Sequence, residues 1–103
     1  MRDTLKAIDE LAGDLCSEAS ASRCSKRNPD DQAEIAAELT AAAEVLLVQA
    51  RGTTLGYQCG VVHSKVRALI DRCSAPSKDF RRELQALNDV RDAIAVCNGE
   101  PVI

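Results

Sequence analysis

A chain of 103 residues holds one domain and one modest core, and 46% hydrophobic content excludes a disordered tail. A net charge of −3 removes the basic footprint of a nucleic-acid binder. Aromatics are 2% of the chain, with one Phe, one Tyr and no Trp. The core must therefore be built from Leu, Ile, Val, Ala and Cys, and a small core without aromatic area favours association with a partner.

The first helix is predicted over residues 3–20. Leu5, Ile8, Ala12, Leu15, Cys16 and Ala19 recur on one face, opposite Lys6, Asp9, Glu10, Asp14, Ser17 and Glu18. Asp3 or Thr4 is placed to cap its start. Residues 20–28 break the period with small, polar and basic side chains and read as a loop that leaves Cys24 near solvent.

Asn28-Pro29-Asp30-Asp31 is a helix start: Asn28 as the cap, proline at the first helical position, two aspartates against the positive end of the helix dipole. The second helix is predicted over residues 29–51 and stops at Gly52. Its broad apolar face is Ile35, Ala36, Leu39, Ala43, Leu46, Leu47 and Ala50. The back carries Glu34, Glu38 and Glu44, but also Ala37, Ala41, Val45 and Val48. A stop at Gly52 followed by Thr53 predicts a tight αα-hairpin and disfavours one kinked helix.

The third helix, predicted over residues 54–74, is central. Leu55, Cys59, Val62, Val66, Leu69 and Cys73 alternate in spacings of four and three, the heptad seam of a packed helix. At roughly 100° per residue, Tyr57, Val61, Ser64 and Ala68 fall on the opposite side. Gly56, Gly60 and Ser64 add a small-residue stripe beside them. A helix apolar on both sides needs partners on both. Close approach of a neighbouring backbone would compensate two helical glycines, within the bundle or outside it.

Ser74-Ala75-Pro76-Ser77 ends this helix and caps a fourth, predicted over residues 77–97. Its buried stripe is Phe80, Leu84, Leu87, Val90, Ile94 and Cys97, with Arg81, Arg82, Glu83, Asp89, Arg91 and Asp92 solvated. Asn98-Gly99 closes it, Pro101 bars continuation, and Val102-Ile103 form a short apolar tail. The fold class is thus all-α, an antiparallel four-helix bundle around a hairpin of the second and third helices.

Chemistry is sparse. Cys59 and His63 are four apart on one helix face, yet no C-x-x-C or H-x₃₋₅-H spacing completes a metal site, and Cys59 lies in the seam. A packed thiol beside a boundary histidine is preferred over a nucleophile. The carboxylates Asp31, Glu34 and Glu38 lack a Glu-x-x-His partner and read as a solvated face. The glycines at 52, 56 and 60 follow no strand and precede no Gly-Lys-Ser/Thr, so no phosphate loop is expected.

Five cysteines are an odd number, and the N-terminus shows no apolar signal core, so reduced thiols in the cytoplasm are expected. No run of about 18 apolar residues predicts a membrane span. The expected function is that of a non-catalytic regulator, without metal or cofactor, which binds and inhibits or modulates a larger protein partner. Anti-activators, adaptors and phage-type inhibitors all have this character. The expected protein-binding residues are Tyr57, Val61, Gly60, Ser64, Ala68, Val45 and Val48, and the chain is expected to form a homodimer. A small-ligand or nucleotide-binding helical sensor and a thiol- or metal-dependent helical enzyme are the alternatives.

Overall fold

The computed structural model describes residues 2–21, 29–74 and 80–99. They form four helices, α1 (Arg2–Ala21), α2 (Pro29–Ala50), α3 (Gly56–Ser74) and α4 (Arg81–Cys97). The described residues contain no strand. Asn28 and Ser77 as caps, the exposure of Cys24, the stop at Pro101 and the Val102-Ile103 tail lie outside the described residues. So do the side chains of Asp30 and Asp31.

Each of α1 and α3 packs against both α2 and α4, and α1 also touches α3 across the bundle, whereas α2 and α4 do not meet. The α1–α3 diagonal is therefore the short one, and the cross-section is a rhombus with those two helices at its obtuse corners. Side-chain bonds fix the directions. Thr4 near the start of α1 donates to Gln49 Oε1 near the end of α2 at 2.8 Å, so these two helices are antiparallel. Gln32 at the start of α2 donates to the Cys73 carbonyl at the end of α3 at 2.7 Å, which makes that pair antiparallel too. The expected up-down-up-down bundle is observed. Thr4, an expected cap, ties α1 to α2 instead.

The hairpin has a local cause. Gly52 takes φ 77°, a left-handed conformation that a Cβ would strain. Thr53 then folds back, its Oγ1 donating to the Ala50 carbonyl at 2.7 Å and accepting from Leu55 N at 3.2 Å. Thr53 thus satisfies an end carbonyl of α2 while the chain reverses, and α3 starts at Gly56, two residues later than its predicted start at 54.

The core follows the heptad positions. Leu5, Ile8, Ala12, Leu15, Cys16 and Ala19 of α1, Leu39, Ala43, Leu46 and Ala50 of α2, and Cys59, Val62, Val66, Leu69 and Cys73 of α3 are all buried. Each fully buried Leu, Ile or Val contributes about 1.5–3 kcal/mol of transfer free energy. Ile35, Ala36 and Leu55 pack at its margin.

The first turn of α4 departs from expectation. Glu83, expected in solvent, is only 1% exposed, while Leu84, expected in the core, is 50% exposed. The buried row is Glu83, Leu87, Val90, Ile94 and Cys97, which keeps alternating four and three back to its first member. Phe80 is buried as expected, but from outside the helix, with φ 60°. That left-handed turn carries its ring to the core without placing it on the helical row, so extending the row from Phe80 to Leu84 gives the wrong phase.

Candidate functional site

The seam of α3 faces inward, so its other side faces out. Tyr57 is 82% exposed, Ser64 and Ala68 are exposed, and Gly60 and Val61 are half-buried. Gly56, Tyr57, Gly60, Val61, Ser64 and Lys65 line one open groove along this helix. Val61 leans on the edge of the core.

The two glycines on this face differ in what a side chain would meet. A Cβ built on Gly60 meets no atom within 4 Å, and one built on Gly56 meets the Ala50 carbonyl oxygen at an ordinary 3.5 Å. No neighbouring helix approaches Gly60, so a tight crossing inside the bundle is not what the glycine accommodates. Each helical glycine still costs about 1 kcal/mol against alanine.

The two valines of α2 are both exposed, and at a spacing of three they are neighbours on one side of the helix. Val48 continues the row of Thr40 and Glu44, which line a cleft with His63, Arg67, Ile70 and Asp71 of α3. Val45 shares the row of Gln49, which is bonded to Thr4 of α1. Tyr57, Gly60, Val61, Ser64 and Ala68 share the outer side of α3, and Val45 and Val48 are exposed on the outer side of α2.

Cys59 and His63 serve different surroundings. The Cys59 sulfur lies 4.0 Å from that of Cys97 in the core, whereas His63 lines the α2–α3 cleft. Among the described residues, no three His, Cys, Asp or Glu side chains come together as a metal site.

The interior holds a second feature that periodicity alone does not reveal. Cys16 and Cys73 also face one another with sulfurs 4.0 Å apart. A hydrogen bond from Cys73 holds the Cys16 thiol below its ordinary value of 9.0, helped by the Arg91 charge and opposed by burial and by Glu83. The same bond, burial and the neighbouring charges of Cys16 and Glu83 push Cys73 upward. Burial first, then the charge of Cys59 and the hydrogen bond with it, pushes Cys97 up to about 11. Cys16 also opens onto a groove between α1 and α4 lined by Gly13, Ser17, Phe80, Leu84 and Arg91. The exposure of Leu84 leaves this groove partly apolar.

The fold and surface define a small four-helix protein with an apolar outer face on its central helix. Comparison with known proteins finds no family model, no curated protein and no solved structure that matches the chain. Among the described residues, no helix is long and apolar enough to cross a membrane.

Proposed function

We propose that the chain is a small non-catalytic regulator that docks the outer face of α3 onto a larger protein partner and inhibits or modulates that partner by covering its surface. Before the partner is met, a second copy covers the same face, and the free chain is a homodimer. It works in the cytoplasm.

The observation that carries this reading is Gly60. It is a helical glycine whose missing side chain leaves open space on the outside of the bundle, three residues from a Tyr that is 82% exposed. A helix pair crossing at glycine brings backbones close, and flanking side chains then pack over the partner helix. Tyr57 supplies the large amphipathic anchor that interface centres favour, Val61 extends the apolar area beside it, and the exposed Val45 and Val48 of α2 add to the docking surface. A two-fold crossing also suits one patch meeting its own copy.

The test is sedimentation equilibrium of wild type and Tyr57→Ala. The variant should weaken self-association at least about tenfold, the size of a modest hot spot. Its helicity should match wild type. Equal association constants, or a loss of helicity, would contradict the assignment of Tyr57 to the docking face.

A further inference from the structure

Among the described residues, the four buried cysteines stand in two pairs. Cys16 of α1 faces Cys73 of α3, and Cys59 of α3 faces Cys97 of α4, each with sulfurs 4.0 Å apart. Cys59 and Cys73 are two heptads apart on one seam, and each meets a different neighbouring helix. Buried cysteine used only as a small hydrophobe has no reason to meet another thiol at every occurrence. We propose that Cys16–Cys73 and Cys59–Cys97 are two disulfide sites, open as thiols in a reducing cytoplasm and closed by exchange with a low-molecular-weight disulfide when that oxidant accumulates, which then fasten α3 to α1 and to α4.

The geometry suits closure. A disulfide needs the sulfurs at about 2.05 Å. Closure therefore brings the sulfurs of each pair about 2 Å nearer than the 4.0 Å at which they stand. In each pair one thiol stands at the edge of the core and the other inside it. Cys16 is 4% exposed and Cys97 7%, while Cys59 and Cys73 are fully buried. Cys16 borders the groove beside Phe80 and Leu84, which gives a small reagent an approach.

The chemistry balances with the reagent as oxidant. The Cys16 thiolate attacks one sulfur of the small disulfide, whose S–S bond breaks and releases one small thiol. Cys73 then gives up its proton and attacks the Cys16 sulfur, which expels the second small thiol. Two protein thiols become one disulfide, the reagent disulfide becomes two thiols, and these carry away both protons. Cys97 plays the edge role for Cys59. The proposal is independent of the docking reading, since it acts on the inner side of α3 and leaves Tyr57 and Gly60 outside.

The experiment uses the full chain with Cys24→Ser, treated with oxidised glutathione in two arms, one folded throughout and one refolded from denaturant in the same reagent. Remaining thiols are alkylated, and linked peptides are mapped by mass spectrometry. The expected product in at least one arm has lost four hydrogens, carries no glutathione, and links Cys16 to Cys73 and Cys59 to Cys97. Its thermal midpoint lies about 10 °C or more above that of the reduced chain and falls back on reduction. Cys73→Ser should leave the Cys59–Cys97 link intact. Four alkylatable thiols in both arms, stable glutathione adducts without internal links, or a different pairing would each overturn the proposal.

Discussion

Replacing Gly60 by Ala should stabilise the isolated chain, although glycine is the residue found there. Gly60 lies within α3, where glycine is about 0.8–1.0 kcal/mol less favourable than alanine because its backbone loses more freedom on folding. The added methyl meets nothing within 4 Å, so no steric cost offsets the gain. The net expectation is about 0.5–1 kcal/mol of added stability, or a rise in midpoint of about 2–8 °C for a chain of this size. Thermal unfolding followed by circular dichroism, at low protein concentration, reads this directly. Gly13→Ala is the control, because its methyl would lie 3.1 Å from the Arg91 guanidinium, which reaches Asp9 at 3.0 Å. That side chain has to shift, so the gain at Gly13 should be the smaller of the two. At high protein concentration the order should invert for Gly60, since the wild type gains stability from association that the methyl weakens. A lower midpoint for Gly60→Ala in the dilute chain would refute the argument, because the methyl would then be meeting the bundle itself.

Further expectations follow from burial and charge. Leu69→Ala removes a fully buried side chain from the α3 seam and should cost about 2–5 kcal/mol in urea denaturation; a loss under 1 kcal/mol would place Leu69 outside the core. Tyr57→Ala, by contrast, should change the stability of the dilute monomer by no more than about 0.5 kcal/mol. Stability should also fall with alkali. Cys97 titrates near 9.0 when unfolded and about 11 when folded, so between those values the unfolded chain has released a proton that the folded chain retains. Its contribution is complete below pH 9.0 and is lost as pH rises through about 11, with a slope of at most about 1.4 kcal/mol per pH unit. Cys97→Ala should flatten that part of the urea-midpoint profile, and an unchanged slope would contradict the burial of this thiol. Asp9→Asn breaks the exposed pair with Arg91 and should cost about 1 kcal/mol or less, declining with salt.

Periodicity carried the fold a long way because the bundle is built from it. The seam of α3 and the core face of α1 read directly from spacings of three and four, and Gly52 with Thr53 read as a reversal. The first turn of α4 did not read, because Phe80 enters the core from a left-handed residue outside the helix and so takes no part in the helical phase. Exposure of Tyr57 was legible as the side opposite the seam. The thiol pairs were not legible. A sequence places Cys16, Cys59, Cys73 and Cys97 on inward faces, but only the arrangement of helices shows which sulfurs meet.

The measurement that bears most directly on the docking face is solution mass by light scattering for wild type and Gly60→Leu across a range of concentrations. A Leu at Gly60 projects into open space in the lone chain, so the fold should persist and only a crossing at this face should be blocked. The expected result is a wild-type mass of twice the 11.0 kDa chain and a helical Gly60→Leu monomer. A wild type that stays monomeric throughout, or a Gly60→Leu variant that dimerises as tightly as wild type, would contradict it.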